Sequence, residues 1–368
     1  MNDTPLTARY ASPEEIDDWD ALVAANPTGG EFLAASAFAT TKAAVGWVPR
    51  HVVFEEAGKR QSVALILEYP APLLGRLWYI ARGPAAPSEQ DLARHVAALN
   101  AFIPQHAPRV FAVTIEPPVI APDPARVDDE PSPQLASLGL VRRPYIQGNR
   151  HTAIVQLGPD DDALIAGFDK KCRNMIRRAQ RDEVTVYRPD STSETFAHMH
   201  RLMRLVGGGK ADLMLRSRDY TERLWREFSS AGQGQFYAID GDDGTPAVMG
   251  YLIRIGTRAF YKDGGSERDR VKPGMSNLLL WQMMLDARDA GATEFDLFGV
   301  APAWAQSTDE HPSYGLGLFK LSFARERTDY IGAFDLVIKP RAYRLWRAAG
   351  ERIVGAVHRR LYHDLTLY

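Results

Sequence analysis

The run GLGLFKLSF, residues 315–323, sets Lys320 among apolar neighbours. If the run is a strand, an ammonium group flanked in this way either reaches back to water along its stem or meets an anion. A second concentration of charge lies in KKCRNMIRR. There Lys170, Arg173, Arg177 and Arg181 recur at i, i+3, i+7 and i+11 of a predicted helix, and Cys172, Met175, Ile176 and Ala179 form its apolar stripe. Such a face is either an ordinary solvated surface or one that lies along nucleic-acid phosphates. VGGGK, residues 206–210, lacks the spacing of a P-loop and the hydroxyl residue after its lysine, so it reads as a flexible turn. Residues 339–368 begin as a basic amphipathic helix, with Trp346, Ile353, Val354, Val357 and Leu361 set against several arginines. That face suits anionic lipid, and it equally suits packing on the body of the protein.

Composition narrows the classes of chemistry. The 368 residues hold 44 Lys and Arg against 46 Asp and Glu, a net charge of −2, so any phosphate site has to be a local basic patch. Hydrophobic residues at 45% and charged residues at 24% describe a folded globular chain. The single cysteine, Cys172, excludes an internal disulfide framework and lacks the spacing of a zinc site, which points to a reducing cytoplasm. The start MNDTPLTARYASPEEIDDW has no basic segment followed by an apolar one, and no run reaches the roughly 18 to 20 apolar residues of a spanning helix. The expectation is a cytoplasmic protein that touches a membrane only from its surface.

The elements that must position these residues read as mixed α/β. A helical pattern over Ser12–Ala44 opens with SPEEIDDW, where Ser12 is a cap and Pro13 the first helical residue. A hairpin turning at Gly58, a strand in GRLWYIARG, a helix in SEQDLARHVAALNAFIPQ and a strand in RVFAVTIEP follow. EPPVIAPDPARVDDEPSPQ reads as a surface loop. From GNRHTAIVQL the series starts again, with a helix over DDALIAGFDKKCRNMIRRAQRDEV, a strand TVYRP and a helix at ETFAHMHRLMRLV. A meander from GQFYAID to FYKDGG, a helix NLLLWQMMLDARDAG and a strand EFDLFGV complete it. Strand pair, strand, helix, strand thus occurs twice, which predicts two similarly built α/β domains.

In order and spacing, KKCRNMIRRAQRDEV, RSRDY, AFYKDGGS, NLLLWQMMLDARDAGATEFDLFGV and GLGLFKLSFARERTDYIGAFDLVIKPRAY together resemble the FemABX family of aminoacyl-tRNA-dependent peptidyltransferases, as do SAFATTKAAVGW, LWYIARGP and VTIEP upstream. The resemblance implies two tandem GNAT-like domains, residues 1–148 with 332–368 and residues 149–331, without an inserted coiled-coil arm, in the manner of the compact FemX-like members. It implies transfer of an amino acid from aminoacyl-tRNA to an amino group of a peptidoglycan precursor, either UDP-MurNAc-pentapeptide or lipid II, with no cofactor beyond that co-substrate and no metal. It gives Phe319 and Lys320 the tRNA end and the transition state, and Lys42, Arg216 and Tyr220 the acceptor's diphosphate. An i, i+4 helical spacing would set Arg216 and Tyr220 on one face. Tyr261 and Glu116 match acceptor-contacting positions, although the family more often has Asp at the second. Asp296 is expected to order the loop leading to Lys320. With tRNA as donor, the Lys170, Arg173, Arg177 and Arg181 face is expected on its phosphates. Acylation of a small natural-product amine, acyl-CoA acetyl transfer and simple RNA binding are the other readings; the [QR]-x-x-G-x-[GA] turn that a CoA pyrophosphate needs at the N-terminus of a helix is not found, RLVGGG at residues 204–209 standing at the end of an expected helix.

Overall fold

The computed structural model describes residues 4–121, 133–147, 150–206, 216–267, 271–303, 314–364 and 366–368. Along the first part of the chain come β1 (Thr7–Tyr10), α1 (Pro13–Asp17), α2 (Trp19–Ala24), α3 (Ser36–Ala43), β2 (Val48–Glu56), β3 (Lys59–Ala71), β4 (Gly75–Ile80), α4 (Glu89–His106), β5 (Val110–Ile115), α5 (Pro133–Ser137) and β6 (Leu140–Arg143). Then follow β7 (His151–Gln156), α6 (Asp161–Ala166), α7 (Lys170–Arg181), α8 (Ser193–Val206), α9 (Arg218–Ser230), β8 (Gly234–Asp240), β9 (Pro246–Ile255) and β10 (Arg258–Ser266). The series ends with α10 (Met275–Asp289), β11 (Glu294–Gly299), α11 (Tyr314–Leu321), β12 (Arg327–Asp329), β13 (Ala333–Val337), α12 (Pro340–Leu345) and α13 (Glu351–Tyr362), the last two joined by a π-helical turn.

The chain divides into Met1–Arg150 with Asp329–Tyr368, and His151–Thr328. In the first unit a seven-stranded sheet runs β1-β2-β3-β4-β5-β13-β6; in the second a six-stranded sheet runs β12-β7-β11-β10-β9-β8. Within each, an antiparallel meander ends in a strand that pairs parallel with the next one, β4 with β5 and β10 with β11. Only a crossover can join parallel neighbours, and α4 and α10 supply it. Each sheet buries its own core: Phe54, Trp78, Leu99 and Phe334 in the first unit, Ile176, Leu279, Met283 and Phe295 in the second. Among the described residues of the second unit the longest helix is α10, with 15 residues.

Four sequence expectations change. Ser12–Ala44 is three helices and a 3₁₀ turn, because the Pro27 to Gly30 stretch cannot continue a helix, although Ser12 and Glu15 do form the capping box. The helix expected across residues 161–184 breaks after Ala166, where the Asp169 carboxylate accepts from Cys172 N at 2.6 Å and starts α7 afresh. TVYRP makes a single bridge, Tyr187 to Ala238, instead of a strand. GLGLFKLSF is a helix, α11, and not a strand. Residues 122–132 of the expected surface loop and residues 207–210 of VGGGK lie outside the described residues.

The two strands that matter for the second unit separate at a definite point. Their shared register runs from Arg258↔Glu294 to Phe260↔Asp296. Just beyond, β10 breaks register with β9 between Tyr261 and Asp263, and β11 breaks register with β7 between Asp296 and Gly299. Bulges on both strands turn them apart at their C-terminal ends. Packing against α8 is tight here: a Cβ on Gly265 would fall 2.5 Å from the backbone carbon of Leu202. Gly265→Ala should therefore lower the urea unfolding free energy by about 2–3 kcal/mol, since backbone cannot move aside as a side chain can. An unchanged midpoint would show that α8 is not pressed on β10.

Candidate active site

Lys320 reaches its place through a glycine one turn earlier. On α11, Gly317 and Lys320 share a face, and a Cβ on Gly317 would stand 3.1 Å from Ala301 N. Without that Cβ the helix lies against the backbone that leaves β11, and Lys320 Nζ donates to the Gly299 carbonyl at 3.0 Å. The residue is 6% exposed. Burial pushes its pKa down from the usual 10.5 to about 8, against the pull of the Asp296 charge.

Asp296 is itself held from several sides. Its Oδ1 accepts from the Thr152 hydroxyl and, at 2.8 Å, from Phe298 N, while Arg258 Nη2 stands 3.6 Å from Oδ2. The bond to Phe298 N closes a turn in which Phe298 takes a left-handed φ of 60°, an unfavourable backbone for an aromatic residue. Asp296 thus shapes the exit of β11 and faces the ammonium across it. Phe319, half-buried beside Lys320 on α11, sets its ring 5.5 Å from Phe323. The arrangement is a buried cation at the C-terminal end of β11, past its last pair with β10, with its counter-charge already committed to Thr152, Phe298 and Arg258.

The other expected residues fall into three places. Tyr261 stands on β10 just past the last shared pair, its ring over Gly250 and Gly264: a Cβ on Gly264 would lie 1.7 Å from the phenol oxygen. Burial, with Asp263 nearby, raises its pKa. Arg216 and Tyr220 do meet, with the guanidinium 4.4 Å from the ring centroid, but not as neighbours on a helix: Ser217 caps α9, so Arg216 precedes it. They line a cavity of about 110 Å³ with Met203, Thr221, Leu224, Lys262 and Asp263. Lys262 is a second cation there that the sequence reading missed; it donates to Asp263 at 2.9 Å, and Trp225 Nε1 holds the other Asp263 oxygen at 2.8 Å.

Lys42 and Glu116 belong to the first unit and are buried. Lys42 sits on α3, whose residues Ala37–Ala39, Thr41 and Lys42 are all covered, with Nζ 5.4 Å from the Trp47 ring centroid. It is therefore not a solvated helix lysine, nor does it stand at a surface where a diphosphate could meet it in this conformation. Glu116, just after β5, is closed in by donors: Tyr79 Oη at 2.5 Å, Ile146 N at 2.6 Å and Gln147 N at 3.2 Å. Burial raises its pKa while those hydrogen bonds and Arg82 lower it. With no exposed atom, it fixes the chain at residues 146–147.

On α7, Cys172, Ile176 and Ala179 are buried and Lys170, Arg177 and Arg181 are exposed, as the spacing requires. Arg173 departs from that face: its Nη1 donates to Phe168 O at 2.6 Å and closes the start of the helix.

Comparison with known proteins agrees with this architecture. A family model described as an acetyltransferase (GNAT) domain matches residues 166–306. Lipid II:glycine glycyltransferase of Staphylococcus aureus strain MRSA252 is 24% identical over 412 aligned positions, covering 92% of this chain and 95% of the relative. The same enzyme of strain NCTC 8325 / PS 47 matches with the same identity and coverage. Among solved structures, a crystal structure of FemX superposes with a TM-score of 0.75 at 20% identity, over 93% of this chain and 99% of that one. The chain is thus similar over most of its length to lipid II:glycine glycyltransferase and to FemX, and it shares with FemX a fold of two tandem GNAT-like units.

Proposed function

We propose that the chain transfers an amino acid from aminoacyl-tRNA to an amino group on the stem peptide of a peptidoglycan precursor, working in the cytoplasm at or near the inner membrane face. The observation that supports this most is the Lys320 ammonium, buried in the second unit where β10 and β11 part. An acyl ester is already activated, so an amine needs only position, a route for its proton and stabilisation of the negative oxygen that forms when it adds to the carbonyl. Away from water, a fixed cation acts on such an oxygen with little screening. The new N–C bond forms, the ester C–O bond breaks, and the proton shed by the amine ends on the ribose oxygen that leaves.

The other residues fit supporting roles. Arg216 and Lys262 bring two cations to one cavity, a fit for an acceptor diphosphate, with the Tyr220 ring bracing the guanidinium. Tyr261 stands on β10 just past its last pair with β11. Lys170, Arg177 and Arg181 offer α7 to tRNA phosphates without reading sequence. Glu116 and Lys42 act in this reading as buried supports of the first unit. The relatives named above take lipid II as acceptor, which favours the lipid-linked precursor for this chain as well. No metal or cofactor is required by the chemistry.

Three outcomes are expected. Labelled amino acid offered on a mixture of charged tRNAs should appear in lipid II or in UDP-MurNAc-pentapeptide when each is supplied separately; label left on tRNA in both would overturn the reading in favour of a small-molecule amine. Lys320→Met should lower turnover by about 10²–10³-fold with little change in acceptor KM. The same substitution should stabilise the fold. Because the folded pKa of about 8 lies below the ordinary 10.5, the unfolded chain binds more protons between those values, and stability rises with pH across that window. Below it the buried charge costs about 3 kcal/mol, less whatever the Gly299 bond returns. Lys320→Met should therefore gain about 1–3 kcal/mol in urea unfolding at neutral pH, and that gain should vanish above the ordinary lysine pKa. A loss at neutral pH would contradict it.

A further inference from the structure

The helix that closes the first unit has two faces, and the fold uses one. Trp346 packs on Phe111 with ring centroids 5.7 Å apart, His358 is buried beside Tyr69 and Tyr362, and Glu351 accepts from Arg143 at 2.7 Å. On the outward face Ile353, Val357 and Leu361 recur at i, i+4 and i+8 and are 62%, 51% and 65% exposed. Arg360 falls beside this row, three residues after Val357 and seven after Ile353, and Arg352 and Arg359 lie further round. The only acid between residues 340 and 362 is Glu351, already paired with Arg143 and Arg347.

A second observation adjoins it. In the turn between β3 and β4, Leu74 lies against the π-helical turn, where a Cβ on Gly350 would come within 3.2 Å of its Cδ1. Its neighbour Leu73 is wholly exposed and held at a left-handed φ of 66°. A branched residue in that conformation is unfavourable, and here it presents a leucine to solvent.

We propose that this surface docks the protein on an anionic lipid bilayer, the Ile353–Leu361 row and Leu73 at the headgroup boundary and Arg352, Arg359 and Arg360 on lipid phosphates. Charge decides between occupants: a second copy seated on the same face would oppose arginine to arginine, whereas an anionic membrane complements both the row and its flank. The inference deepens the reading of a lipid-linked acceptor and rests on it for its purpose, but its test needs no transfer reaction.

The full chain should sediment with vesicles of phosphatidylcholine and phosphatidylglycerol, not with phosphatidylcholine alone, and added salt should weaken the binding. Arg352→Glu, Arg359→Glu and Arg360→Glu together should weaken it at least about tenfold, each basic residue near such a surface being worth roughly fivefold. Ile353→Asp with Leu361→Asp should do the same, and circular dichroism should show both variants folded. Failure of the native chain to bind anionic vesicles, equal binding to neutral ones, or native-like binding by the variants would overturn the proposal. So would light scattering that showed a dimer abolished by Leu361→Asp. Vesicle binding without label transfer would sink the transferase reading alone, and transfer to the soluble acceptor without vesicle binding would sink the docking surface alone.

Discussion

An ammonium group removed from water has to be repaid by a carbonyl, a counter-charge or a ligand, and the second unit is arranged around that demand at Lys320. The carbonyl is Gly299, the end of β11. The counter-charge is Asp296, three residues earlier on the same strand. Neither would be in place without the register breaks that turn β10 and β11 apart, or without Gly317, which lets α11 lie on the chain leaving β11. Asp296 is divided among Thr152, Phe298 and Arg258, so the lysine keeps its charge while its pKa stays low. A site of this kind gives up stability for a charge held ready for an anion.

The first unit repeats the strand order and handles the corresponding place differently. There β4 and β5 pair through Ile80↔Ile115, and Glu116 follows at once, its backbone N–H donating to the carbonyls of Ile80 and Gly83. The carboxylate is filled by Tyr79, Ile146 and Gln147, and Arg82 stacks on Tyr330 at 4.1 Å. One sheet therefore ends in a satisfied polar network and the other in a cation with few partners. A satisfied buried network specifies structure, whereas an under-compensated charge is what chemistry can draw on.

Much of this was legible in the sequence because it rests on short-range rules. Alternation and turn glycines marked β2, β3, β8, β9 and β10, Ser12 and Pro13 started α1, and the Cys172, Ile176 and Ala179 spacing gave the buried side of α7. The errors came where a tertiary contact overrode the local pattern. GLGLFKLSF has glycines and apolar residues that suit a strand, yet Gly317 is there to let a helix approach a backbone. Asp169 looked like one more helical residue and is a cap. Arg216 and Tyr220 are four apart but meet across a helix start, through the guanidinium and the ring. Burial of Lys42 and Glu116 was not readable at all, since a single chain's pattern does not say which polar side chains the core will enclose. Lys262 could have been found: it alternates with Phe260 along β10, and a polar residue on that side needed a reason.

The most direct measurement is the titration of the Lys320 ammonium itself, by ¹⁵N NMR of lysine-labelled protein with Lys320→Arg to assign the signal. The expected result is a midpoint near 8 in the free protein and a rise toward the ordinary 10.5 when a phosphonate mimic of the tetrahedral intermediate binds, because an anion beside the ammonium favours its charged form. An ordinary lysine midpoint in the free protein, or a low midpoint that the mimic leaves unmoved, would contradict it.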